Sequence, residues 1–109
     1  MNRLRIREWK DLDDWRVKYS PLENAEEGTV FQTVFMFFDG AGVLVRRGLI
    51  DISIVDELMS ASIIIIWEKF RDIMGQIRED AITNPRMYSN SEYLYNEIIK
   101  HRKNILKSK

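Results

Sequence analysis

The sequence predicts an all-α domain, a bundle of four or five helices. Three observations carry this expectation. Apolar residues recur at steps of three and four in several long segments, the spacing of one face of a helix. Two prolines and five glycines in 109 residues leave those segments largely uninterrupted. A 45% hydrophobic content fills one core, and a chain this long buries roughly two-thirds of its unfolded surface. Residues 1–109 are therefore expected to form a single helical domain.

Leu4, Leu12, Trp15 and Tyr19, with Trp9 towards one edge, share a broad side of a first helix over about residues 3–19. Ser20-Pro21 ends it, because the residue before a proline is pushed out of the α region. Residues 20–28 read as a polar connection. Phe31, Val34, Phe35, Phe38, Gly42 and Val45 then mark a second helix over about residues 29–47, with Gly48 where a left-handed residue would close it. Strand competes for residues 29–38 on aromatic and β-branched content. Strict alternation is missing, however, and Phe37-Phe38 run together, so helix is the assignment.

Asp51 is placed as the N-cap of a third helix, and Asp56 and Glu57 favour its early turns. Val55, Leu58, Met59, Ile63, Ile66 and Phe70 continue one stripe, which Ile73, Met74, Ile77 and Ala81 extend. A straight helix over residues 52–82 would run about 46 Å at 1.5 Å per residue, so a bend is expected near Ser60-Ala61-Ser62. The four isoleucines 63–66 face every direction around the axis and should be covered on several sides. Asn84-Pro85 signals a turn. Ser89, Asn90 or Ser91 can cap a last helix with Glu92 in its first turn, Leu94, Ile98, His101 and Ile105 in step, and a basic last turn that suits the helix dipole.

Composition bounds the chemistry. With no Cys, disulfides, thiolate metal sites and cysteine nucleophiles are excluded. The lone His101 excludes a multi-histidine metal site and argues against a Ser-His-Asp triad. Gly40-Ala41-Gly42 lacks the preceding strand and third glycine of a phosphate cradle, and small residues there suit close helix packing. A calcium loop counted from Asp51 puts Asp56 where glycine is needed and Ser62 where glutamate is needed, so it fails. The carboxylate pairs Asp13-Asp14, Glu26-Glu27 and Glu79-Asp80 lie in hydrophilic runs that read as solvated surface. No catalytic, cofactor or metal residue set emerges, and an enzyme ranks third among the functional classes.

Charge is balanced but segregated. Residues 1–10 carry +3, 11–27 carry −4, 28–97 carry −4 and 98–109 carry +5. A polyanion-binding module, for nucleic acid or an anionic membrane face, would use Arg3, Arg5 and Arg7 with Lys100, Lys103 and Lys107, the last three sharing one helix face. Overall neutrality opposes this. A helix-turn-helix over residues 45–59 is opposed as well, because its second helix holds two acids and no base. No secretory signal or stretch of ~20 apolar residues is visible, so the cytoplasm is the expected location.

Phe37-Phe38-Asp39, Gly42-Val43-Leu44, Arg47-Gly48-Leu49-Ile50-Asp51, Trp67-Glu68-Lys69-Phe70, Asn84-Pro85-Arg86 and Tyr93-Leu94 follow one another in order. This run resembles an uncharacterised prokaryotic family, the domain of unknown function forty-seven sixty, over roughly two-thirds of the chain. Its most specific piece is the Gly48-Leu49-Ile50-Asp51 turn followed by Trp67-Glu68-Lys69. The resemblance implies an all-helical domain and transfers no catalytic residue. It also implies a membrane helix ahead of the domain in many members, from which the charged residues 2–8 depart. Physically, Gly48 and Asp51 read as a helix stop and start around apolar Leu49-Ile50, and Trp67 as a core anchor.

The leading expectation is a protein-interaction domain that associates with itself. Its helices are apolar over more than one face, and twelve aromatic residues are many for this length. Trp9/Trp15 and Tyr93/Tyr95 splay around their helices, so some of these rings are expected at an interface. His101 is expected at the core boundary, with a pH-sensitive role as the sharper alternative.

Overall fold

Short-range capping sets most of the helix ends in this chain. The computed structural model describes residues 9–19, 24–80 and 86–108. Four helices follow in order, α1 (Leu12–Tyr19), α2 (Ala25–Arg46), α3 (Ile52–Asp80) and α4 (Ser89–Lys107), with no strand among the described residues.

The first helix starts later than its apolar pattern suggests. The Asp14 backbone N–H donates to Asp11 Oδ1 at 2.9 Å, and the Lys10 N–H donates to Asp14 Oδ2 at 2.9 Å. The Asp11 cap, with Asp14 reaching back to the preceding residue, fixes the start at Leu12 and leaves Trp9 outside the helix. Asn24 does the same for α2, accepting from the Glu27 N–H at 3.2 Å, so that helix begins at Ala25 rather than near 29.

The end of α2 is as the sequence reads. Gly48 is left-handed (φ 73°), its N–H donates to the Val45 carbonyl at 3.0 Å, and the Leu49 N–H reaches the Leu44 carbonyl at 2.9 Å. Those two bonds satisfy carbonyls that the helix end would orphan. Asp51 then opens α3, its carboxylate accepting from the Ser53 hydroxyl at 2.6 Å. That bond, helped by the Ile52 and Ser53 backbone N–H groups, lowers the Asp51 pKa. The expected bend falls at Met59 (φ −151°, ψ 15°), one residue before the serine pair.

The start of α4 departs from expectation. Tyr88, left-handed at φ 54°, occupies the cap position and offers no side-chain bond. The cap comes from another helix. Asp39 of α2 accepts from the Ser91 N–H at 3.0 Å and from Asn90 Nδ2 at 3.2 Å, while the Ser91 hydroxyl donates to the Phe35 carbonyl at 3.3 Å. Ser89, Asn90 and Ser91 are therefore not the cap. Two of them bind the carboxylate that replaces it.

The core is aromatic at its centre. Phe31, Phe35 and Phe38 of α2 meet Ile66, Trp67 and Phe70 of α3 and Leu94 and Ile98 of α4, all buried. The Phe35 and Phe70 rings stand edge to face at 5.6 Å. Trp15 and Tyr19 close one end, and Trp9 stacks on Phe70 at 4.9 Å. Of the isoleucine run, Ile63 and Ile66 are buried, Ile64 is half-buried and Ile65 is exposed. The run is not covered all round, because no described helix lies over that side of α3.

Arg78 ties α3 to the start of α4 beyond the core. Its guanidinium donates twice to the Met87 carbonyl (2.9 and 3.0 Å) and pairs with Glu92 at 3.0 Å. Tyr95 donates to Glu68 at 2.7 Å and accepts from Arg71 at 2.7 Å. Burial, and then the Glu68 bond, raise the Tyr95 pKa and hold that proton on the phenol. α2 packs chiefly on α4 and least on α3.

Candidate interaction surface

Because α2 leans on α4, a groove opens between it and the first half of α3. Met36, Phe37 and Leu44 form one wall, and Ile54, Leu58 and Met59 form the other. Gly40, Ala41, Ile50 and Val55 complete a lining of about 530 Å³ that holds no charged side chain. Exposure here is high for large apolar groups: Leu58 is 72% exposed, Met36 65%, Phe37 58%, Ile54 49% and Leu44 41%. At roughly 150–250 Å² per large side chain, these five leave about 500 Å² of contiguous apolar surface, near the top of the range for a monomer.

The aromatic residues expected at an interface are mostly elsewhere. Trp9, Trp15 and Tyr95 are buried in the core. Their splay around a helix does not apply to Trp9, which precedes α1 and turns back onto Phe70. Tyr95 leans towards α3 and its ring lies 6.4 Å from Trp67. Tyr93 alone of the four is half-exposed, with the Arg46 guanidinium 4.7 Å from its ring centre. The exposed aromatic is Phe37 instead. Phe37 and Phe38 are adjacent, about 100° apart around α2, and here Phe38 enters the core while Phe37 faces out.

Of the basic ends, Arg3, Arg5 and Arg7 lie outside the described residues, as does the Asn84-Pro85 turn. Lys100, Lys103 and Lys107 are exposed on α4. Their neighbours His101 and Arg102 turn the other way, towards the bend of α3. Arg102 Nε donates to Asp56 Oδ1 at 3.0 Å, its Nη2 donates to the Ser60 hydroxyl, and His101 Nε2 lies 3.6 Å from Asp56 Oδ2. The Arg102 bond is the largest cause of a lowered Asp56 pKa, with Ser60 and the charges of Arg102 and His101 adding to it against partial burial. His101 is thus a half-buried boundary residue with a polar partner. No group of three or more His, Cys, Asp or Glu among the described residues could hold a metal ion.

By length and composition α2 could also cross a membrane, with a mean hydropathy of 1.4 over its most apolar window, a third of it buried here. In this fold its Phe31, Phe35 and Phe38 belong to the core, and Asp39 caps α4.

These features define a small four-helix domain with an open apolar face between α2 and α3. The chain belongs to the family of the domain of unknown function DUF4760, whose model matches residues 4–98. The match takes in α1 as well as the segments from α2 onwards that carry the likeness in sequence. No curated protein and no solved structure matches the chain significantly.

Proposed function

We propose that this chain is a small helical protein-interaction domain that associates with itself, and that the α2–α3 groove is its contact surface. The observation that carries this reading is the uncharged apolar face centred on Phe37 and Leu58. Such a face costs solubility unless something covers it, and its size suits a protein contact. The reading keeps the domain in the cytoplasm, where a chain needing no disulfide can fold. Sedimentation equilibrium of the wild-type chain at high micromolar concentration is expected to give twice the 13.0 kDa monomer mass. A Phe37→Asp, Leu58→Asp variant is expected to sediment as a monomer with its helical spectrum intact, since both side chains are already exposed. A wild-type chain that stays at the monomer mass overturns the reading.

The second reading is polyanion binding by the exposed Lys100, Lys103 and Lys107 on α4. It rests on those three charges alone among the described residues.

A further inference from the structure

We infer that two copies pair through this groove as an antiparallel two-fold, with Phe37 of each copy seated over Gly40 of the other. The inference rests on the self-association proposed above and specifies its geometry.

The outer face of α2 is graded in charge. At about 100° per residue, Glu26, Thr33, Phe37, Gly40, Leu44 and Arg47 fall within roughly 60° of one line along the helix, and all six are exposed. The line starts acidic, is apolar in the middle and ends basic. A parallel pairing would set acid against acid and base against base. An antiparallel pairing brings Glu26 of one copy within about one turn, roughly 6 Å along the axis, of Arg47 of the other.

The centre of the line is self-complementary in shape. Phe37 projects, 58% exposed, while one turn further on Gly40 leaves a notch in which an added Cβ would meet nothing within 4 Å. A two-fold axis between these residues places each projection on the opposite notch, the isologous arrangement that closes at a dimer. Leu58 and Ile54 of α3 form the second wall against the incoming α2. Wholly covered, the five exposed side chains of each copy would together contribute at most about 1,000 Å², near the lower bound for a specific interface before its rim is added. No charge in the lining has to be buried on pairing.

The test has two parts, both run on the full chain. A Cβ added at Gly40 meets nothing within 4 Å, so Gly40→Leu is expected to keep its fold, which circular dichroism and urea melts check. If Phe37 seats there, this variant dimerises at least tenfold more weakly by sedimentation. A merely sticky surface, or one that lies on lipid, gains apolar area and associates as tightly or more tightly, also in pelleting with phosphatidylcholine and anionic vesicles. That result overturns the geometry.

The chain has no cysteine, so single cysteines report pairing cleanly. Glu26→Cys and Arg47→Cys chains, mixed and treated with a short bis-maleimide, are expected to cross-link to each other and not each to itself. In the antiparallel dimer two copies of position 26 lie roughly 37 Å apart at 1.5 Å per residue. Self-cross-linking of Glu26→Cys chains points to parallel pairing and overturns the inference. A wild-type chain that is monomeric throughout instead overturns the self-association on which it rests, so the two failures are distinguishable.

Discussion

A Cβ added at residue 42 would lie 2.1 Å from the carbonyl oxygen of Asn90 and 2.8 Å from its carbon. Both obstacles are backbone, so no side-chain rotation relieves them, and α2 and α4 would have to move apart. Two residues earlier, Gly40 meets nothing. The same substitution should therefore have opposite signs at the two sites. Gly42→Ala is expected to destabilise the domain by about 2–3 kcal/mol or more, the cost of overpacking a rigid contact. Gly40→Ala is expected to add about 0.5–1 kcal/mol, as glycine in a helix interior costs relative to alanine. Urea melts at low micromolar concentration check both, and a neutral Gly42→Ala would show that the crossing yields. Of the two glycines in the Gly-Ala-Gly triplet, only Gly42 is required by close helix packing.

At the scale of the elements, the long α3 is held at its bend by a clasp from α4. Arg102 spans Asp56 and Ser60 on either side of Met59, and His101 stands beside the same carboxylate. The Asp56 pKa is lower in the folded chain than its ordinary value of about 3.9. A carboxyl with a depressed native pKa favours folding above the unfolded value and loses that contribution as pH falls through the native one. The clasp should therefore be at full strength above about pH 5 and fade below pH 4. Urea melts of Asp56→Asn against wild type are expected to show a deficit at pH 6 that narrows progressively as pH falls below about 4. An unchanging deficit would assign the aspartate a packing role instead. This clasp was not legible in the sequence, which set Asp56 and Glu57 in the early turns of α3. Neither is in the first turn, and Asp56 turns to a residue 46 positions away. Local signals fared better: Gly48 and Asp51 mark their helix ends by chemistry confined to a few residues. The starts of α1 and α2 were equally local, as Asp11-x-x-Asp14 and Asn24-x-x-Glu27, but the apolar stripes drew the boundaries elsewhere. The cap of α4 comes from Asp39 across the fold, so no inspection of residues 86–92 could supply it. The groove was legible only as apolar residues on a second face of α2. Which face stays open is decided by α2 packing on α4 rather than on α3.

For the whole molecule, two surfaces compete as the functional one, and their forces differ in range and in salt dependence. The groove acts by apolar burial, which moderate salt leaves unweakened. The basic end of α4 acts by charge, and each phosphate of a duplex it neutralises contributes about −0.9 to the slope of log affinity against log salt. With three lysines engaged the slope would be near −3, the mark of few phosphate contacts and so of little affinity gained from counterion release. The residues around them weaken the case further. Arg102 is committed to Asp56, and residues 28–97 carry a net charge of −4. At that ionic strength charges about 8 Å apart still oppose one another, so the acidic body reduces the attraction of the helix end. The expected outcome is weak or absent binding of labelled duplex DNA, single-stranded DNA or RNA in fluorescence anisotropy at ~0.15 M salt, with self-association retained at that salt. Sub-micromolar binding that is abolished when Lys100, Lys103 and Lys107 become Glu would move the function from the groove to the end of α4. The same charge reversal leaves the groove untouched, so a dimer that survives it while nucleic acid still fails to bind separates the two surfaces in one set of variants.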